Sequence, residues 1–248
     1  MQRLFVAEAL SEKTGVFTDR VHAGRVLAEM LRPHLAGFKE AVVLAIPAGG
    51  VPVGMALAAA LGLPFDLVFV RKLHFPDNPE AGFGALSEHG AMELNPDYLA
   101  FLSPEEIARQ AELERRALAE RVRRLRQVWP PLDLRGKSVI LVDDGLASGY
   151  TMRVAIEEAR RRGADRVLVA VPTASLAAVK RVLPLADRVY VANLRPGPQF
   201  AVAEAYQNWR DLSLEEVEAL LRAAQKAKQN KQGDPHDDAG VGEVKDRP

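Results

Sequence analysis

Two adjacent acids close an apolar run and open a turn of small residues in the stretch VILVDDGLASGYTM, residues 139–152. Asp143 and Asp144 are acceptors at neighbouring positions, a pairing suited to two vicinal hydroxyls. Gly145 and Gly149 let the backbone curl, so that its N–H groups come close to an anion. Leu146, Ala147 and Tyr150 fill out the turn, while Ser148 and Thr151 add hydroxyl donors. Thr151 also stands where a helix begins, and a helix N-terminus carries the positive end of the dipole. Diol acceptors at one end and a phosphate cradle at the other describe a site for a ribose 5-phosphate group.

A second set of residues extends this chemistry. The run 41–46 leads into Ala48-Gly49-Gly50-Val51-Pro52. Its glycines free the backbone for close approach to an anion, and Pro52 is well placed to start a helix. Another apolar run, 66–71, ends in Arg71-Lys72, two cations suited to neutralising a pyrophosphate beside the cradle. Two other phosphate motifs fail on context. A Walker loop needs Gly-Lys-Ser/Thr at a helix start, whereas Gly136-Lys137-Ser138 enters a strand-like run. Residues 46–54 lack the G-x-G-x-x-G order of a dinucleotide fingerprint, and the next acid, Asp66, opens the following strand instead of ending it.

These groups need a scaffold. Five nearly continuous, β-branched apolar runs, at 41–46, 66–71, 138–143, 166–171 and 188–192, predict strands covered on both faces. Helical patterns at 18–32, 51–61, 151–162 and 176–183 lie between or ahead of them, with Pro33 and Gly163 as stops. Strands alternating with helices predict an α/β fold, a five-stranded parallel sheet flanked by helices. Ligands of such sheets sit outside the carboxyl ends of the strands, where both candidate turns fall.

Two segments interrupt the alternation. Residues 103–128 read as one long inserted helix, opened by the capping box Ser103-Pro104-Glu105-Glu106. Its basic run 115–126, with Glu112 and Glu114 ahead and Glu120 inside, reads as a solvated face laced with ion pairs. Residues 73–90 carry two prolines and three glycines without a clear period and read as a long loop. That loop offers His74, Glu80, Glu88 and His89 for acid–base work, but no third ligand at metal spacing for its histidines. Residues 228–248 are polar and nearly free of large apolar side chains, which predicts a disordered tail.

Composition sets the outer limits. Lys+Arg and Asp+Glu balance at 33 each, so no global field draws the chain to nucleic acid or an anionic membrane. The absence of cysteine excludes disulfides, thiolate catalysis and Cys-based zinc sites, and fits a reducing cytoplasm. No signal-peptide pattern opens the chain, and no run approaches the roughly 20 apolar residues that span a bilayer.

The segment 139–152 resembles the signature of the type I phosphoribosyltransferases, which bind 5-phosphoribosyl 1-pyrophosphate (PRPP): four apolar residues, two acids, and a small-residue turn ending in Gly-x-Thr. DRVHAGRVLAEML at 19–31, the IPAGGVPVG turn, VRKLHFPDNPEAGFGALSEHG and the aromatic segment near Tyr206 and Trp209 resemble one subgroup of that family. The resemblance implies that Asp143 and Asp144 meet the ribose hydroxyls. It implies that Gly145, Leu146, Ala147, Ser148, Gly149, Tyr150 and Thr151 hold the 5-phosphate. It places Ala48, Gly49, Gly50, Arg71 and Lys72 on pyrophosphate, with Lys72 beside the two acids as the catalytic set. Tyr150 is a departure, since many members carry Gly there. Mg2+ would arrive with PRPP, with no direct protein ligand and with Asp143 or Asp144 reaching it through water. Residues 73–90 take the place of the loop that closes over PRPP.

The implied unit is 1–227, with a small hood from 1–15 and 193–221 in which Phe200, Tyr206 and Trp209 are candidate stacking surfaces. The implied partners are PRPP and a small-molecule acceptor, expected to be a nucleobase but not named by any residue pattern. A non-catalytic sensor of PRPP or nucleotides is the alternative. The helix 103–128 offers a surface for pairing with a second copy.

Overall fold

The computed structural model describes residues 3–38, 40–197 and 199–232. In chain order its first half holds β1 (Leu4–Val6), α1 (Arg20–Leu31), β2 (Val42–Ala45), α2 (Gly50–Leu61), β3 (Phe65–Leu67), β4 (Val70–Phe75), β5 (Asn78–Ser87) and β6 (Met92–Leu94). The second half holds α3 (Pro104–Val128), β7 (Ser138–Val142), α4 (Tyr150–Arg161), β8 (Arg166–Ser175), α5 (Leu176–Val182), β9 (Arg188–Arg195) and α6 (Leu214–Gln232).

The expected α/β architecture is present. Six parallel strands form one sheet in the order β1-β9-β8-β7-β2-β3. Alternate residues of each strand serve opposite layers, which is why the runs read as continuously apolar. Val43, Ala45, Ile140 and Val142 join α1, α2, α3 and α6 on one side. Val42, Leu44, Val139 and Leu141 join α4 and α5 on the other.

The sheet has one strand more than expected. Leu4–Val6, in the segment expected to form part of a hood, pairs with β9 at the sheet edge, Leu4 opposite Val189. The expected strand 66–71 is also two elements: β3 stays in the main sheet, and β4 leaves it for a second, antiparallel sheet, β4-β5-β6. The expected loop 73–90 is therefore mostly a hairpin. Its glycines serve close packing: a Cβ on Gly82 would fall 2.4 Å from Lys72 Cε, and Leu73, Phe83 and Ala85 are buried. Glycine inside a strand often marks such a close approach.

Helix α3 begins with the expected capping box, and its buried residues Ala111, Leu118, Leu125 and Val128 face β4, β5 and α6. These buried positions are covered within the chain, while Leu113 on the same helix is exposed. Arg124 ties it to Glu215 and Glu218 of α6. Helix α6 runs past residue 227, so the first residues of the expected tail are helical; residues 233–248 lie outside the described residues.

Asp66, fully buried in β3, pairs with Arg126 of α3 and with Arg162 just after α4 at 2.7 Å, and accepts the Leu132 amide at 3.1 Å. This carboxylate fastens three segments to the sheet. Asp66→Ala leaves two guanidinium groups without their buried partner. It is expected to cost about 3–5 kcal/mol, read by urea unfolding with an unchanged slope against denaturant.

Candidate active site

The carboxyl ends of β2 and β7 meet the start of β4 around a polar cavity of about 250 Å³. Its lining includes Asp143, Thr151, Arg71, Lys72, His74 and Arg121. The fold therefore gathers members of both residue sets singled out from sequence, one acid and one hydroxyl from 139–152 and the two cations that begin β4.

The two acids do not share one environment. The Asp144 carboxylate accepts Nε of Arg20 at 2.9 Å, with the second arm of the guanidinium also at 2.9 Å. It packs so closely on the Ala48–Gly50 turn that a Cβ on Gly49 would lie 1.9 Å from its Oδ2. Only glycine leaves room there. Arg20 also donates to the Arg210 carbonyl at 2.9 Å and lies 4.0 Å from the centre of the Trp209 ring. Tyr206 donates its hydroxyl to the Asp144 carbonyl at 2.6 Å, and burial pushes that phenol's pKa up, keeping it a donor. Among the described residues no cation pairs with Asp143 in this way. Its Oδ1 accepts the Asp144 amide at 2.9 Å. Burial, and then the charge of Asp144, raise its pKa well above the usual carboxylate range. Burial raises Asp144 as well, opposed by Arg20.

The turn after the acids is shaped as a cradle. Gly149 sits at φ +90°, a left-handed conformation that turns the chain into α4. Among the described residues, the amides of Ala147, Ser148, Gly149, Tyr150 and Thr151 donate to no protein group. They cluster at the N-terminus of a helix of 12 residues, the arrangement that binds phosphate. Leu146 differs. It is buried, its amide donates to the Thr173 carbonyl at 2.9 Å and its carbonyl accepts from Ser175 at 3.0 Å, so it anchors the turn to β8. The Tyr150 hydroxyl donates to Asn95 at 2.8 Å, and Val202 closes over Gly145, where a Cβ would meet it at 2.5 Å.

On the cation side, Glu114 of α3 accepts from Arg71 and pairs with His74 Nδ1 at 2.7 Å. His89 Nδ1 lies 2.5 Å from fully buried Glu158 of α4, whose other oxygen accepts from Ser87 at 2.7 Å. The two histidines thus serve different carboxylates and do not form a pair. Ligand atoms of Glu88, His89 and Glu158 lie within 4.8 Å of one another, a cluster that joins the hairpin to α4 outside the cavity lining. The Glu80 side chain lies outside the described residues. Of the aromatics expected in a hood, Tyr206 and Trp209 pack beside Arg20, and Phe200 lies under Arg195 at 5.8 Å.

Three charged residues beside the cavity and the paired acids were not read from sequence as part of a site. Arg20 is hidden at the head of an amphipathic helix, and Glu114 and Arg121 are hidden in a pattern that matches a solvated face. Only the mixture of buried and exposed positions along α3 separates them from their neighbours.

An open parallel sheet with a glycine turn and helix start at one strand end and cations at the next places the candidate site of this α/β protein outside the carboxyl ends of its strands. Residues 19–193 match the model of the phosphoribosyl transferase domain, and the chain belongs to that family, with the type I fold. A protein of Mycobacterium tuberculosis named "Putative phosphoribosyl transferase" is 41% identical over 214 residues, covering 84% of this chain and 47% of the relative. The chain thus spans about half the length of the curated relatives it matches. The crystal structure of TT1426 from Thermus thermophilus is 40% identical, with a TM-score of 0.68, and the match covers 84% of this chain and 98% of that one.

The raised pKa of Asp143 has a consequence for stability. On a rising pH scale the unfolded chain loses this proton first, at about pH 3.9. The contribution of Asp143 to folding is therefore complete below that pH and is lost as pH climbs through the higher folded value. Asp143→Asn removes the penalty. The variant is expected to melt above the parent at pH 7, with the gain vanishing below about pH 4, followed by thermal unfolding across the range.

Proposed function

We propose that the chain binds Mg-PRPP and transfers its 5-phosphoribosyl group to an acceptor, in the first instance a nucleobase, releasing pyrophosphate. The observation that carries this reading is the cavity in which Asp143 and Thr151 stand against Arg71 and Lys72. One wall suits the ribose and its 5-phosphate, the other a doubly charged leaving group.

In this reading the free amides of Ala147–Thr151 and the Thr151 hydroxyl hold the 5-phosphate at the head of α4. Asp143 accepts from the ribose hydroxyls. Asp144, turned to Arg20, sets the position of its neighbour and of the Ala48–Gly50 turn. The acceptor's lone pair forms the new bond to the anomeric carbon as the carbon–oxygen bond breaks, the electron pair leaves on pyrophosphate, and the acceptor gives up its proton. Charge at the anomeric carbon in that transition state resembles an oxocarbenium ion. Arg71 and Lys72 meet the departing negative charge.

Magnesium suits the residues present. Asp143 is a largely buried carboxylate with no cation partner among the described residues, because Arg20 is committed to Asp144. Mg2+ favours phosphate oxygens and waters plus one or two carboxylates, and when bound it neutralises charge on the pyrophosphate. The acceptor side is assigned to 193–221, where Tyr206 and Trp209 present ring faces near Arg20. Among the described residues no helix is long and apolar enough to cross a membrane, and the proposed setting is the cytoplasm.

The test is calorimetric titration with Mg-PRPP followed by pyrophosphate release in the presence of a panel of bases. The double variant Asp143→Asn, Asp144→Asn is expected to lose roughly 100-fold or more in PRPP affinity. Wild-type affinity in that variant overturns the assignment of the acids. Tight binding of PRPP with no pyrophosphate released by any base makes the chain a sensor of PRPP instead of a transferase.

A further inference from the structure

The arginines of α3 fall into separate groups once their partners are known. Arg115 and Arg116 pair with Glu112, and Arg123 with Glu120, on the exposed face. Arg124 pairs with α6, and Arg126 with buried Asp66. Arg121 belongs to neither the solvated face nor the structural pairs. It is half-buried, and among the described residues no carboxylate pairs with it. Its one hydrogen bond there runs from Nη1 to the Pro47 carbonyl at 3.2 Å. Burial, and then the charge of Arg71, pull its pKa down, as befits a guanidinium lacking a close counter-charge.

Its position gives that deficit a meaning. Arg121 lines the cavity together with Arg71 and Lys72. Glu114, the carboxylate whose charge reaches it, is already shared by Arg71 and His74. The Pro47 carbonyl holds the Arg121 guanidinium at the turn where, among the described residues, the amides of Ala48 and Gly49 donate to no protein group. A partly desolvated guanidinium and unpaired amides are costly in the absence of an anion. A polyanion supplies what both lack.

We propose that Arg121, carried in by the inserted helix α3, binds the pyrophosphate group of PRPP together with Arg71, Lys72 and the Ala48–Gly50 turn. The inference rests on the PRPP reading and gives α3 a place in the site.

The experiment compares two ligands, magnesium pyrophosphate and ribose 5-phosphate, by calorimetry on the wild type and on Arg121→Gln and Arg121→Lys. Glutamine keeps an N–H for the Pro47 carbonyl but carries no charge. Arg121→Gln is expected to weaken pyrophosphate binding about 10- to 100-fold and to leave ribose 5-phosphate binding unchanged, while Arg121→Lys recovers most of the loss. Wild-type pyrophosphate affinity in Arg121→Gln overturns the proposal. So does an equal loss for both ligands, which would make the residue a structural support. A wild type that binds ribose 5-phosphate but not pyrophosphate overturns it while leaving the phosphate cradle standing; a wild type that binds neither removes the PRPP reading as well.

Discussion

Neighbouring carboxylates at the buried end of a strand repel each other, and each loses hydration on burial. Here the fold compensates them unequally. Arg20 reaches across from α1 to Asp144, while among the described residues Asp143 accepts one backbone amide and pairs with no cation. That asymmetry organises what surrounds it. Gly49 has to be glycine because the compensated carboxylate leans on it. Trp209 and Tyr206 lie where they cover and orient the compensating cation and the strand end. The other acid faces the cavity, where, in the proposed reading, a ligand rather than the protein meets its demand. The cost in the ligand-free state and the readiness to bind are one electrostatic fact seen from two sides.

The same device recurs with structural effect. Asp66, Glu114 and Glu158 are buried acids, and each draws cationic or polar groups from other elements. Asp66 joins β3 to α3 and the end of α4. Glu114 and Glu158 grip the hairpin sheet from α3 and from α4. Arg71 and Lys72 are thereby mounted on a strand held by packing and by ion pairs. In the proposed reading, such anchoring limits the rearrangement needed when a multiply charged ligand arrives.

How far the sequence could be read follows from the range of the interactions involved. The interior strands were legible because full coverage writes a continuous apolar run, as in 138–143. Strand β1, three residues long, is too short to carry any period. The hairpin was obscured because Gly82 and Gly84, used there for close packing, look like loop residues when read locally. At the site, Asp143, Thr151, Arg71 and Lys72 were legible, since each stands at a strand end or helix start that local pattern marks. Arg20, Glu114 and Arg121 were not. Their roles depend on which helix face turns inward, and that is decided by partners such as Asp144 and Pro47, far away along the chain.

The pairing of β1 with β9 joins an early strand to one made much later: Leu4 stands opposite Val189, and the Arg3 carbonyl accepts the Val189 amide at 2.7 Å. On the ribosome the first strand has no sheet to join until β9 has been made. Until then it waits as an unpaired edge, with the penalty of closing a loop nearly as long as the domain still ahead. The central strands can associate earlier, so closure of the sheet edge is expected to be among the last events of folding, after synthesis has passed the cavity-forming segments.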